Sequence, residues 1–219
     1  MEPYDAFVWG LSAAPLHPGP GLYNPYGGAS AAAAIRRANL VLYLRRMAAR
    51  APRLLLVGEA PGYRGCRLTG VPFTSEFVLL TEPTPFDLFG EAAGFRLAGA
   101  PGAPKREATA TVFWQTVMEL ERPPLLWNAL PFHPFLPGNE HTNRTPSLGE
   151  LATGEKFIAE LLVAFQIDRI VAVGRKAAEA MSRWGISAAR VRHPGHGGKD
   201  AFRRELIGAL GAEPMAPGP

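Results

Sequence analysis

The chain has 219 residues, of which 47% are apolar and 19% charged, with a formal net charge of +4. That length supports one domain with a full core rather than two, and the composition excludes a disordered chain. The pI of about 9.5 suits a nucleic-acid partner without requiring one, because solubility alone needs some net charge.

Cys66 is the single cysteine. It excludes an intramolecular disulfide, a zinc site built on several cysteines and a Cys-ligated iron–sulfur cluster. The opening MEPYDAFVWG carries acids where a signal peptide needs basic residues, and no apolar run reaches membrane-spanning length. The expectation is a cytoplasmic chain that engages no membrane.

In chain order, the stretch through LHPGPGLYNPYGGAS is rich in Pro and Gly and is expected to wrap the surface as an ordered loop. ASAAAAIRRANLVLYLRRMAAR then reads as a helix. Ala34, Ile35, Ala38, Val41 and Leu42 recur at helical spacing, and Ser30 is placed to cap it. Its five arginines read either as a phosphate-facing set or, more ordinarily, as the solvated face. Four near-continuous apolar runs read as strands, at 53–60, 124–132, 168–174 and 189–195. Helical patterns lie between them at 108–121, 154–166 and 174–185, and KDAFRRELIGALG supplies a last helix. Buried strands alternating with helices indicate a parallel sheet covered on both faces. The fold expected is a three-layer α/β/α sandwich with a central four-stranded parallel sheet. A single domain is expected over residues 1–211, followed by a flexible tail at 212–219.

In such sheets ligands bind outside the carboxyl ends of the strands. Glu59 lies at the end of the first strand, Asn128 within the second and His193 in the last, so three strands bring polar residues to one edge. Phe73, in TGVPF, returns beside them. These residue types suit a flipped-out pyrimidine, which needs a flat apolar face, hydrogen bonds to its edge and charge control at the leaving group. Phe73 offers the face. The Asn128 amide can donate to a carbonyl while accepting from a neighbouring ring N–H, which is the O4/N3–H pair of uracil and the reverse of cytosine. His193 can donate to O2, where negative charge gathers as the glycosidic bond breaks. Glu59 can orient a water or stabilise a positive sugar. Each also has a plainer reading: Phe73 as a core or loop-anchoring aromatic, Asn128 as a partner for buried backbone, Glu59 as a helix cap, His193 as part of a turn. GEAPG superficially suggests a phosphate loop, but it lacks the GxGxxG spacing and the Walker lysine.

VGEAPG with TGVPF, then LLWNALPF, GNEHTNRTP and RHPG, resembles the uracil-DNA glycosylase superfamily in order and spacing from about Arg53 to Gly198. The resemblance implies the same four-stranded sheet between helices, a monomer acting on uracil-containing DNA, and chemistry that needs no metal or cofactor. It makes Gly58 to Gly62 the water-activating first motif, so that Gly58, Ala60 and Gly62 meet the uracil. Phe73 becomes the stacking ring, Asn128 the reader of the uracil edge and His193 the stabiliser of the departing base.

The departures are informative. Ala60 stands where several branches place the Asp or Asn that handles the water, which moves the catalytic assignment to Glu59, similar to the glutamate of the thermostable iron–sulfur branch. That branch holds a cluster on four cysteines; this chain has one. Gly62 stands where the ubiquitous branch has a tyrosine that blocks the methyl of thymine, and Tyr63 comes one position late. HPGHGGKD lacks the leucine wedge, leaving His196 or Lys199 in its place. Arg64 and Arg67, on the intervening YRGCRLTG loop, read as phosphate contacts or as solvated charges. The function expected is a DNA repair enzyme that hydrolyses the N-glycosidic bond of deoxyuridine, releasing uracil and leaving an abasic site. The alternatives are a protein that binds uracil-DNA or abasic sites with little turnover, and a glycosidase for free nucleosides.

Overall fold

The computed structural model describes residues 3–16, 19–81, 86–99, 102–195 and 197–211. Four apolar runs form the strands β2 (Leu54–Gly58), β3 (Leu125–Asn128), β5 (Arg169–Val173) and β6 (Ala189–Val191). All pair in parallel, in the order β3-β2-β5-β6. Leu55, Leu56 and Val57 are fully buried at the centre, beside Leu125 and Leu126 on one side and Val171 and Ala172 on the other. Each fully buried Leu or Val here contributes about 1.5–3 kcal/mol from burial.

Helices flank this sheet: α1 (Pro3–Ala13), α2 (Ala31–Ala48), α5 (Ala108–Val117), α7 (Glu155–Phe165), α8 (Arg175–Arg183) and α9 (Lys199–Gly211). Shorter turns of helix lie at α3 (Cys66–Thr69), α4 (Glu76–Thr81) and α6 (Leu148–Ala152). The stripe Phe157, Ile158, Leu161 and Phe165 shows why α7 is helical, since these positions share one face at helical spacing and all are buried. Ser30 caps α2 as its sequence suggests, accepting from the Ala33 N–H. Among the described residues no helix is long and apolar enough to cross a membrane.

Three expectations are corrected. Residues 3–13 form a helix rather than a loop, because Phe7, Val8 and Leu11 make a buried stripe and the Phe7 ring meets Trp127 and Phe157 edge-on. The run that follows it also contributes a strand, β1 (Leu22–Tyr23), which pairs antiparallel with β4 (His133–Pro134). The buried stripe of α2 is Ala33, Arg36, Leu40, Tyr43, Leu44 and Met47, with Ala34 and Ala38 exposed. Polar residues hid it: Arg36 donates to the Pro25 carbonyl, and Asn39 spans Thr69 and Arg96. The α2 arginines are neither phosphate-facing nor merely solvated. Arg45 pairs with Asp5, Arg46 with Asp87, and Arg37 and Arg50 donate to loop carbonyls.

The topology fixes where a ligand can sit. The chain leaves β2 toward β3 on one side and leaves β5 toward β6 on the other, so the carboxyl ends of β2 and β5 flank the switch point. Such a point opens a crevice between diverging connections.

Candidate active site

A cavity of about 420 Å³ opens at that point. It is lined by Gly58, Glu59, Ala60 and Gly62 from the exit of β2, by Phe73, by Asn128 at the end of β3 and by His193 after β6. Every residue assigned from sequence to base reading or chemistry therefore meets in one place.

Register brings the first pair together, since Gly58 lies opposite Asn128 in the β2–β3 ladder. A Cβ on Gly58 would fall 2.6 Å from Asn128 Oδ1 and 2.7 Å from Phe73 Cζ, so glycine alone leaves the space between amide and ring open. Asn128 is 5% exposed, yet among the described residues its side chain has no hydrogen-bond partner. The amide lines the cavity, where its N–H and carbonyl can meet the donor–acceptor edge of a ligand.

Phe73 is held in a left-handed backbone conformation at φ 57°, which is strained for a bulky residue. Two contacts hold it there. Its ring stacks on Phe113 of α5 at 4.2 Å between centroids, and its carbonyl accepts from Trp114 Nε1 at 3.0 Å. Phe113 in turn stacks on Phe202 of α9. Phe73 thus both packs on the core and lines the cavity: Phe113 backs the ring, which is only half-buried at the cavity wall.

His193 is exposed at the cavity rim, and the Gly195 N–H donates to its Nδ1 at 3.1 Å. That bond places the proton of the neutral ring on Nε2, making Nε2 the donor. Glu59 is half-buried. Burial raises its carboxyl above the usual range, opposed by the charges of Lys176 and Arg175 at the start of α8. Its backbone carbonyl accepts from the Leu130 N–H, which ties the exit of β2 to that of β3.

Glu107, immediately before α5, is a site residue that the sequence did not reveal. An acid before a helix reads as a cap, but this side chain makes no capping bond and lines the cavity instead. Its Oε2 lies 2.6 Å from where a Cβ of Gly65 would stand, so that glycine makes room for it. Burial pushes its carboxyl up with no opposing cation. The GNEHTNRTP segment also enters the wall, through Asn143, Arg144 and Thr145. Asn143 Oδ1 accepts from the Tyr63 N–H, and Arg144 makes a forked pair with Glu150, whose carboxyl is held down to about 2. Cys66 also lines the cavity, but burial pushes its thiol up to about 12, which leaves it unreactive.

The residues expected to meet DNA separate. Arg64 is exposed with its guanidinium over the Tyr63 ring, and both line a neighbouring cleft rather than the cavity. Arg67 also lines that cleft, but it is 8% exposed and pairs with Glu140 at 2.6 Å, so it braces the loop. Lys199 is exposed at the start of α9 and donates to Gln115. His196 and the tail 212–219 lie outside the described residues.

A family model of the uracil DNA glycosylase superfamily matches residues 46–208. The chain belongs to that superfamily. The match runs from the last residues of α2 through most of α9, and so spans the four strands of the parallel sheet and every residue lining the cavity. With one cysteine, this member stands apart from the superfamily's iron–sulfur branch. Among solved structures, the crystal structure of wild-type SMUG2 of Pedobacter heparinus is similar at a TM-score of 0.64 and 16% identity. The alignment covers 96% of this chain and 97% of that one, and the likeness is one of fold. No curated protein sequence matches the chain.

Proposed function

We propose that this superfamily member hydrolyses the N-glycosidic bond of deoxyuridine in DNA, releasing uracil and leaving an abasic site. The observation that carries the reading is the Asn128 amide, which lines the cavity beside the Phe73 ring across an open Gly58. Uracil extruded from the stack lies on Phe73. Its O4 accepts from the Asn128 amide N–H, and its N3–H donates to Oδ1.

Glu59 then directs a water at C1′ and takes its proton as the C–O bond forms. Its charge also stabilises the oxocarbenium-like sugar. The C1′–N1 bond breaks with its electron pair passing to the base, and the His193 Nε2–H donates to O2 where that charge gathers. Ala60 and Gly62 leave the first motif without a bulky side chain over the base. Lys199, exposed at the start of α9, then meets a phosphate of the strand.

The test is a labelled oligonucleotide carrying one deoxyuridine, incubated with enzyme well below substrate and then treated with alkali. Cleavage of more strands than there are enzyme molecules supports the reading. Tight binding with no more than one strand cut per enzyme would make the protein a binder of uracil-DNA. Cleavage of free deoxyuridine at a comparable rate would make it a nucleosidase.

A further inference from the structure

A second cleft of about 570 Å³ adjoins the cavity, and its walls include Tyr63, Arg64, Lys105 and Arg106. We propose that it seats the phosphodiester backbone flanking the extruded nucleotide; this rests on the reading that the substrate is DNA.

Charge is the first argument. Among the described residues no carboxylate lines the cleft, and Arg64, Lys105 and Arg106 take part in no ion pair. Of the neighbouring acids, Glu107 lines the cavity instead, and two others are already engaged. Glu140 pairs with Arg67, and the buried Glu76 accepts from the backbone N–H of Lys105. Three cations without counter-charges around one concavity make a standing anion site.

Preorganisation is the second. Arg106 lies over the Phe77 ring at 3.2 Å from its centroid, and Arg64 over Tyr63 at 5.4 Å. Guanidiniums held against rings lose less freedom on meeting a phosphate than free side chains do.

Adjacency is the third. Gly62 and Glu107 line the cavity while their chain neighbours Tyr63 and Arg106 line the cleft, and the Tyr63 N–H bonds to Asn143 of the cavity wall. Neighbouring Cα atoms are about 3.8 Å apart. Cleft and cavity thus share a wall, as a strand with one base extruded requires.

The test measures binding of DNA, with and without a non-cleavable deoxyuridine analogue, over a salt series. The triple variant Arg64→Ala/Lys105→Ala/Arg106→Ala should bind both DNAs more weakly, with the log–log salt slope reduced by about 2–3, near 0.7–0.9 for each phosphate no longer neutralised. Arg64→Ala and Lys105→Ala alone should each free about one phosphate, which keeps the test available should loss of the Arg106–Phe77 stack disturb folding. Arg183→Ala, at the far end of α8 from the cavity, should leave the slope unchanged. Unaltered slope and affinity in the triple and single variants would overturn the proposal, as would an equal loss in Arg183→Ala. If the wild type excises no uracil while the triple variant still loses DNA affinity, the cleft stands and the base assignment falls. If it excises uracil and the triple variant keeps its slope, the cleft alone falls.

Discussion

Gly58 and Asn128 face each other across the β2–β3 ladder, and the hydrogen of Gly58 points into the space bounded by the Asn128 amide and the Phe73 ring. A methyl there would occupy the volume assigned to the base. Gly58→Ala should lower single-turnover uracil excision by about 10²-fold or more, the scale on which about 1 Å of misplacement acts. Because the atoms it meets are side-chain ends, thermal unfolding should shift by only a few degrees. A Gly58→Ala enzyme with the wild-type rate would move the base elsewhere.

Phe73→Ala removes one base–aromatic stack, which is worth about 1–3 kcal/mol. Affinity for DNA bearing a non-cleavable deoxyuridine analogue should fall about tenfold to hundredfold, while affinity for undamaged DNA changes little. Equal loss on both DNAs would mean that the ring serves the core and the Phe113 stack only.

Glu59→Gln keeps the shape of the side chain and removes its charge. The single-turnover rate should drop about 10²–10⁴-fold, the range for a positioned acid or base, and His193→Ala should be similarly damaging. DNA affinity should hold in both, since phosphate contacts dominate it. The carboxylate must be ionised to act, and burial raises its folded-state pKa. The wild-type rate should therefore fall as pH drops through a midpoint above the ordinary carboxylate range, and that acid limb should vanish in Glu59→Gln. If Glu59→Gln keeps a near-normal rate while His193→Ala abolishes it, catalysis rests on leaving-group stabilisation.

Glu107 presents the opposite balance of stability and use. Its pKa is raised by burial alone. A carboxyl raised in the folded state favours folding below its unfolded pKa and loses that contribution as pH rises through its folded value. Glu107→Gln should accordingly raise the unfolding temperature at mildly alkaline pH, with the gain shrinking toward pH values below the unfolded carboxylate range. Equal shifts at both ends of the pH series would show that the charge of Glu107 carries no penalty. A lower excision rate in the same, more stable variant would assign it to the site.

The sheet was legible because four buried strands leave runs that no other architecture explains, and the strand-end motifs marked the cavity because polar residues interrupt those runs. What was not legible has physical causes. The Phe7, Val8 and Leu11 stripe of α1 is short and leads into Pro- and Gly-rich chain. On α2 the buried face carries Arg36 and Asn39, so counting apolar residues selected a neighbouring stripe. Glu107 gave no signal because only the tertiary fold turns a would-be cap into the cavity. Arg67 looked like an exposed loop cation, yet Glu140, far along the chain, draws it inside.

The most direct test of uracil reading by Asn128 compares wild type with Asn128→Ala on two oligonucleotides that differ only in one deoxyuridine or deoxycytidine, under single-turnover conditions. The wild type should release uracil and leave cytosine. Asn128→Ala, folded by circular dichroism, should lose about tenfold to hundredfold in the uracil rate, as expected when an edge costing about 1–3 kcal/mol goes unpaired. Equal uracil rates in the two proteins, or no excision of uracil by the wild type, would contradict that role.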